Sequence, residues 1–261
     1  MKTGKVFLVG AGPGAPDLLT LRAADLLRRA DIVFHDALVH ADTIALAANA
    51  EKILVGKRCG RFSTAQRFIN KRLIDAAKQF GVVVRLKGGD PMLFGRAQEE
   101  IDALREAGIE MEIVPGVTAA LAASADLGVS LTRRGVSRSV VFATPRVGAG
   151  EDASDWIKSV LAADTAVVYM AGHQAAEIAS TLIAAGLSPH TPVALVESAS
   201  SPAVRAHYTN LARLGRTSGD LELRGPVAIL VGEVYREGLV AAVKSGQGQS
   251  VDVNLPHRKN R

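Results

Sequence analysis

Residues 82–96 read VVVRLKGGDPMLFGR, and they indicate an α/β fold because an apolar, β-like run ends abruptly in two glycines, an acid and a proline. In open α/β sheets, ligands bind in the crevice beyond the carboxyl ends of the strands. Gly88 and Gly89 are therefore predicted at the mouth of such a site, where they leave the backbone open to a ligand. Asp90 would be the first functional group there, and an ordinary strand-to-helix turn is the alternative interpretation.

The first half of the chain alternates apolar β-like runs with amphipathic helical stretches, which is the pattern of βα units in a largely parallel sheet. The predicted strands are 5–9, 31–35, 52–55, 82–87 and 110–114. The predicted helices are 18–29, 64–80, 97–107 and 118–127. These elements suffice for one complete α/β domain.

The second half differs, because several late strands follow one another without a helix between them, which favours antiparallel pairing and a mixed sheet. The predicted strands are 139–144, 166–170, 193–197, 205–209 and 227–231, and the predicted helices are 156–163 and 174–185. Gly215–Gly219 is predicted to be a mobile loop. We expect an N-terminal domain over 1–130, a C-terminal domain over 131–245 and a flexible tail over 246–261.

The charge of the chain favours an anionic partner, because the net charge is +5 and the pI is near 9.5. Nucleic acid is disfavoured, since aromatic residues make up only 4% of the chain and do not interleave with the basic residues. A small polyanion is the better interpretation.

Other bulk features narrow the class of protein. No apolar run approaches the roughly 18 residues of a membrane span, and residues 1–14 lack the order of a signal peptide, so we expect a cytoplasmic protein without a membrane partner. Cys59 is the only cysteine, which excludes a disulfide within the chain. The histidines lack metal-binding spacings, and we expect no metal.

Residues 10–15, GAGPGA, follow the first strand, and Asp36 ends the second strand about twenty residues later, an arrangement similar to a dinucleotide fingerprint. Pro13 argues against a nicotinamide cofactor, because it removes an N–H donor from the turn that would hold the pyrophosphate. A different nucleoside-like ligand is favoured. A structural glycine turn and a nicotinamide site remain as alternatives.

Several side chains beyond the strand ends are candidates for chemistry. Asp36 could accept a proton, although a helix cap or a salt bridge explains the same pattern. Lys57 and Arg58 follow the third strand, where they form either an anion site or a solvated basic loop. Thr118 begins a helix whose free N–H groups can hold an anion. Met170 is the last residue of a predicted strand in the second half, where it either contacts a ligand or packs in the core.

Taken together, these motifs resemble, in type and order, the uroporphyrinogen-III C-methyltransferase branch of the tetrapyrrole methylase superfamily. They cover about residues 4–236 and read VGAGPGAPDLLTLRA, DIVFHDALV, VGKRCGRFSTAQRFIN, VVRLKGGDPMLFGR, VPGVTAA, VVYMAG, TPVALVE and GPVAILVGEV. Single motifs recur across the superfamily, whereas GGDP-x-x-FGR combined with GKR-x-G is typical of this branch.

The resemblance implies two α/β domains, the first with a mostly parallel sheet and the second with a mixed sheet, and an active site in the cleft between them. It also implies a homodimer and the cofactor S-adenosylmethionine, which leaves as S-adenosylhomocysteine. Asp36 would be the proton acceptor and Lys57 the proton donor. The implied cofactor contacts are Pro13, Gly88, Gly89, Asp90, Leu93, Thr118, Ala119, Met170, Ala199 and Ala228.

The implied reaction is the transfer of two methyl groups to carbon atoms of uroporphyrinogen III, which gives precorrin-2 for sirohaem, cobalamin or haem d1. A sulfonium methyl is already activated, so such an enzyme needs positioning and electrostatics rather than a metal. Cations would pair with the carboxylates of the tetrapyrrole substrate. The candidates for this role are Arg58, Arg61, Arg133 and Arg134.

Departures from the usual residues of this branch occur at His35, Gly135, Val136, Pro145 and Arg146, and they bear on the tetrapyrrole side rather than on the cofactor motifs. A methyltransferase that acts on a later precorrin is therefore the nearest alternative. A nicotinamide-dependent oxidoreductase and a binding module without turnover are the alternatives from other classes. The length leaves no space for the dehydrogenase and chelatase region of multifunctional relatives, so we expect those steps elsewhere.

Overall fold

The structure, a computed structural model, describes residues 3–55, 66–147 and 155–244. The chain divides into two compact units, Met1–Ala119 and Ala120–Arg261. The division falls after the first residue of the helix Ala119–Leu127, whereas the predicted boundary follows residue 130, and the rest of this helix packs in the core of the second unit. Its residues Ala120, Ala123 and Leu127 are buried there.

The first unit contains a five-stranded parallel sheet in the order β3-β2-β4-β1-β5. Every strand had been predicted, with ends that agree within two residues. The strands are β1 (Lys5–Gly10), β2 (Ile32–His35), β3 (Glu51–Leu54), β4 (Val82–Lys87) and β5 (Met111–Val114). The helices are α1 (Leu21–Arg29), α2 (Ala41–Ala45), α3 (Gln66–Ala77) and α4 (Ala97–Glu106).

Both faces of the central strands of this sheet are buried, which explains why β1 and β4 read as almost continuous apolar runs. Alternate side chains point to opposite faces. Val6 and Val83 pack with α3 and α4, whereas Val9 and Val84 pack with α1. Arg85 lies on the same face as Val83 and is only 3% exposed.

The second unit contains a mixed five-stranded sheet, as predicted, and its strand order is β6-β7-β10-β8-β9. Only β6 and β7 are parallel; the other neighbours are antiparallel. The strands are β6 (Val140–Ala143), β7 (Thr165–Val168), β8 (Pro192–Glu197), β9 (Arg205–Asn210) and β10 (Val227–Gly232). The helices are α5 (Ala119–Leu127), α6 (Trp156–Ala162), α7 (Ala175–Ala184), α8 (Leu211–Asp220) and α9 (Arg236–Lys244).

The prediction of a mobile loop over Gly215–Gly219 is wrong, because these residues belong to α8. The Asn210 side chain caps this helix by accepting a hydrogen bond from the Arg213 N–H at 3.1 Å. A Cβ built on Gly215 would lie 2.7 Å from the Ala176 Cβ, so the absent side chain permits close contact with α7. Tertiary packing therefore overrides the low helix propensity of glycine.

Within the described residues, no helix combines the length and apolar character that crossing a bilayer requires.

Candidate functional site

The five parallel strands of the first unit end at a common edge, where their following loops meet. Gly10, His35, Lys87 and Val114 are the last residues of four of these strands. The predicted GAGPGA, Asp36, GGDP and PGVT segments all begin there, as expected for the ligand-binding edge of an open α/β sheet.

The glycine loops at this edge contact one another through their backbones. The Gly89 N–H donates to the Gly12 carbonyl at 2.7 Å, and the Gly12 N–H donates to the Gly89 carbonyl at 3.2 Å. A Cβ on Gly116 would lie 2.4 Å from the Gly89 carbonyl oxygen, and one on Gly10 would lie 2.6 Å from the Gly116 Cα. These three loops can pack this closely only because no side chain separates them.

Asp90 joins two of these loops through its carboxylate. Its Oδ1 accepts a hydrogen bond from the Met92 N–H and its Oδ2 accepts one from the Gly116 N–H, both at 2.8 Å. Both oxygens of the carboxylate thus bond the backbone, and a contact of Asp90 with the cofactor stays a prediction. The side chain therefore maintains the shape of the edge.

The loop after β4 exposes backbone and apolar surface. Gly89 has a φ of 68° and no atom within 4 Å of a Cβ built on it. Phe94 and Arg96 adopt φ values of 52° and 54°, which are rare for residues other than glycine. Met92 is 55% exposed, whereas Leu93 is half-buried. Backbone strain of this kind concentrates at ligand sites.

A buried charge network lies directly behind Asp36. The Arg85 Nη2 donates to the Asp36 Oδ1 at 2.5 Å, and the Arg85 Nε donates to the Glu100 Oε1 at 3.0 Å. The Lys87 Nζ donates to the Glu100 Oε2 at 2.8 Å. The sequence analysis missed Arg85, Lys87 and Glu100 as members of one cluster. The sequence does show two basic residues, Arg85 and Lys87, at alternate positions of an otherwise apolar strand.

The electrostatics of this network follow from burial and pairing. Burial alone would lower the pKa of Arg85, but the Asp36 and Glu100 carboxylates outweigh it and raise that pKa. For Lys87, burial and the neighbouring Arg85 lower the pKa, and the Glu100 carboxylate only partly opposes them. Two cations and two carboxylates thus form a compact, charge-balanced set.

The remaining predicted contacts of the first unit lie in the loops after β1 and β5. Pro13 is half-buried and, lacking an N–H, cannot donate to a ligand. Thr118 and Ala119 are half-buried and lead into α5. At the start of α5, the Ala120 N–H donates to the Tyr169 hydroxyl at 3.1 Å. Tyr169 is therefore a further residue that the sequence analysis did not single out.

The second unit brings its predicted cofactor contacts to one edge of its own sheet. The pairing register places the carboxyl ends of β7 and β8 beside the amino end of β10. Met170 follows β7, is 44% exposed and has a φ of 56°. Ala199 follows β8 and is 6% exposed, and Ala228 lies within β10 and is 4% exposed.

Glu197 at the end of β8 organises this second edge. Its carboxylate accepts hydrogen bonds from the backbone N–H groups of Arg224 at 2.6 Å and Gly225 at 2.5 Å, and it pairs with Arg205. Burial alone would raise the pKa of Glu197, but these partners outweigh that effect and lower it. The next residue, Ser198, has a φ of 53°, so the loop that contains Ala199 leaves an anchored strand in a strained conformation.

Within the described residues, the basic side chains predicted to bind the substrate do not form a single cluster. Arg133 and Arg134 lie together in an exposed turn, where the Arg133 Nη1 is 2.9 Å from the Glu237 Oε1. The other predicted cations fall outside the described residues, and these are Lys57, Arg58 and Arg61. No cluster of three or more potential metal-ligating side chains occurs in the described ranges 3–55, 66–147 and 155–244.

Comparison with known proteins identifies the class. The model of the tetrapyrrole (corrin/porphyrin) methylases matches residues 5–215. The chain therefore belongs to the tetrapyrrole methylase family, and the resemblance stated above is confirmed.

Three relatives refine this classification. The uroporphyrinogen-III C-methyltransferase of Pseudomonas aeruginosa is 43% identical over 237 residues, which cover 90% of this chain and 96% of that protein. The siroheme synthase of a Psychrobacter strain is 43% identical over 89% of this chain, which spans 48% of that longer protein. A Thermus thermophilus uroporphyrin-III C-methyltransferase, crystallised with S-adenosylhomocysteine, is 39% identical, with a TM-score of 0.79 over 90% of this chain and 100% of its own.

Proposed function

We propose that the protein is an S-adenosylmethionine-dependent C-methyltransferase that converts uroporphyrinogen III to precorrin-2 by two successive methylations. The observation that carries this proposal is the glycine-lined edge of the parallel sheet, where Gly10, Gly89 and Gly116 approach backbone to backbone in a chain of the tetrapyrrole methylase family. The names of the P. aeruginosa and T. thermophilus relatives supply the substrate.

The residues at each sheet edge have features that suit the cofactor. Open space in front of Gly89 leaves its backbone accessible, and the exposed Met92 and Met170 offer apolar surface. When bound, S-adenosylmethionine supplies an electrophilic methyl group on a sulfonium. The residues that would hold it are the ten inferred from the resemblance, namely Pro13, Gly88, Gly89, Asp90, Leu93, Thr118, Ala119, Met170, Ala199 and Ala228. Of these, Asp90 acts by fixing the loops.

Asp36 is the group that takes up the proton that the tetrapyrrole loses when a ring carbon is methylated. Its side chain directly follows β2 and is 30% exposed, and Arg85 holds its Oδ1. A carboxylate fixed in this way needs no reorientation when the proton is transferred. Lys57 is the proposed proton donor and rests on the resemblance alone.

The carboxylates of the tetrapyrrole are recognised by the basic residues Arg58, Arg61, Arg133 and Arg134, in keeping with the net charge of +5. Arg133 is available for this purpose, because its pair with Glu237 is exposed and such pairs contribute little stability. A homodimer is part of the proposal and is supported by the resemblance, and a cytoplasmic location is proposed as well.

A methyltransferase of a later precorrin is the second candidate. A cobalt precorrin-4 methyltransferase is 28% identical, with a TM-score of 0.77 over 88% of this chain. The departures at His35, Gly135, Val136, Pro145 and Arg146 favour this reading. A nicotinamide-dependent enzyme is disfavoured, since Pro13 has no N–H for a pyrophosphate.

The test is an anaerobic incubation of the purified protein with uroporphyrinogen III and S-adenosylmethionine. We expect the absorbance and mass of precorrin-2, with the singly methylated compound appearing first. Unchanged uroporphyrinogen III together with binding of S-adenosylhomocysteine would favour the later-precorrin enzyme. Protection against thermal unfolding by NAD but not by S-adenosylhomocysteine would instead indicate the oxidoreductase.

A further inference from the structure

Arg85, Glu100 and Lys87 are fully desolvated charges that extend inward from Asp36. Their side chains are 3%, 0% and 4% exposed, respectively, so Asp36 is the one member of the set that reaches the surface. The signs alternate along the chain of contacts from Asp36 through Arg85 and Glu100 to Lys87.

Glu100 fixes the orientation of the Arg85 guanidinium. The Glu100 Oε1 accepts from the Arg85 Nε at 3.0 Å and from the Gln66 Nε2 at 3.1 Å. The Arg85 Nη1 donates to the backbone carbonyls of Leu86 and Phe34 at 3.2 and 3.4 Å. With its Nε and Nη1 bound in this way, the planar guanidinium can present Nη2 to Asp36 in only one direction.

The cost of burying these charges suggests that they do more than stabilise the fold. Apolar residues of similar volume often replace a buried ion pair with no loss of stability. Val83 shows that the same face of β4 accepts an apolar side chain, and Ile101 of α4 packs in the same core. A fully apolar core would leave Asp36 without a directed partner.

We propose that Glu100 is a positioning residue, which acts through Arg85 to fix the Asp36 carboxylate at the ligand-binding edge of the first sheet. The inference rests on the proposed role of Asp36 as proton acceptor. Glu100 touches neither substrate nor cofactor in this scheme. Its effect on turnover must therefore pass through Asp36.

A double-mutant cycle between Asp36→Asn and Glu100→Gln tests this dependence. We expect Asp36→Asn to lower kcat about 100-fold, as for loss of a general base. Glu100→Gln should lower kcat about 10-fold in the wild-type background but less than about 2-fold in the Asp36→Asn background, because its route to the reaction is then gone. S-adenosylhomocysteine affinity, measured by calorimetry, should stay within about 2-fold of wild type in each variant.

The matched control is Asp102→Asn, which removes an exposed carboxylate from the same helix and should leave kcat at the wild-type value. Two results would overturn the positioning role while leaving the role of Asp36 intact. One is an equal loss of kcat from Glu100→Gln in both backgrounds. The other is wild-type kcat in Glu100→Gln when Asp36→Asn is impaired. Wild-type kcat in Asp36→Asn would instead reject Asp36 as the proton acceptor, and with it the basis of the inference.

A second variant covers the case in which Glu100→Gln does not fold. Adding Lys87→Met removes the cation that Glu100→Gln leaves unpaired, so the Arg85–Asp36 pair is again charge-balanced. Circular dichroism should then report a folded protein. The same cycle is measured with this double variant, and a loss of kcat that is independent of Asp36 would contradict the proposal.

Discussion

The Asp90 Oδ2 accepts a hydrogen bond from the Gly116 N–H at 2.8 Å and thereby links the loop after β4 to the loop after β5. Its Oδ1 accepts a second backbone hydrogen bond from Met92, so one carboxylate orders the turn and also ties it to its neighbour. The glycine loops that Asp90 links carry most of the proposed cofactor contacts in the first unit.

Asp90→Asn should weaken both stability and cofactor binding. An amide offers only one acceptor oxygen, so one of the two backbone N–H groups loses its partner, at a cost of about 1 kcal/mol in the free energy of unfolding. We expect S-adenosylhomocysteine affinity to fall about 10-fold by calorimetry as the loops separate. Asp25→Asn, which removes an exposed carboxylate paired with Arg29, should leave both quantities unchanged. Wild-type affinity in Asp90→Asn would show that this link is dispensable.

The variants Gly88→Ala and Gly116→Ala should distinguish a glycine that contacts the ligand from a glycine that the packing of the fold requires. A Cβ on Gly88 meets only the Leu38 Cβ at 3.7 Å, so the free energy of unfolding should change by less than about 0.5 kcal/mol. Cofactor affinity should nevertheless fall about 10-fold, because the new methyl group stands where the backbone meets the ligand. Gly116→Ala should destabilise the fold by about 1–3 kcal/mol through its clash with Gly89. Unaltered affinity in Gly88→Ala would remove Gly88 from the site.

A pair of glycines in α8 gives opposite expected effects on stability. Gly219 has nothing within 4 Å of a built Cβ, so Gly219→Ala should stabilise the protein by about 0.5–1 kcal/mol through helix propensity. Gly215→Ala should destabilise it by about 1–3 kcal/mol, because the methyl group meets Ala176. Urea unfolding of the two variants measures both changes. Equal shifts would mean that α8 does not pack against α7 in this way.

Glu197 should make stability depend on pH in the acidic range. Its pKa in the folded state lies below the ordinary value of 4.5, so its stabilising contribution is complete above that value and is lost as the pH falls through the folded pKa. We expect Glu197→Gln to be less stable than wild type by about 1–3 kcal/mol at pH 7. The difference should narrow below about pH 4.5.

Urea titrations across this pH range give the comparison for Glu197. Glu177→Gln, on the exposed side of α7, is the control and should follow the wild-type curve at every pH. A deficit in Glu197→Gln that stays constant from pH 7 down to pH 3 would contradict the assigned linkage.

The sequence predicted the strands because most of them are short apolar runs that end at glycine, proline or polar residues. All ten predicted strands occur, and the parallel and mixed sheets follow the predicted patterns. Short or glycine-containing helices were missed, as α2 and α8 illustrate. In α8, the spacing of the apolar residues Leu211 and Leu214 indicates a helix. Gly215 obscured this pattern, because the sequence alone does not show that its missing side chain permits contact with α7.

The strand ends of the site could be predicted, since parallel strands place consecutive glycine loops at one edge whatever their sequence separation. The charge network could not, because Asp36, Arg85 and Glu100 belong to three different elements, and only their packing brings them within hydrogen-bonding distance. The double role of Asp90 was hidden for the same reason. Its partner Gly116 is on the next strand's loop and contributes only a backbone N–H.

The stoichiometry of methyl transfer tests the proposed double methylation. The protein is incubated anaerobically with limiting uroporphyrinogen III and excess S-adenosylmethionine, and the S-adenosylhomocysteine formed at completion is counted per tetrapyrrole consumed. We expect a ratio of two, with both methyl groups on carbon in the product. A ratio of zero with a folded protein that binds S-adenosylhomocysteine would contradict it.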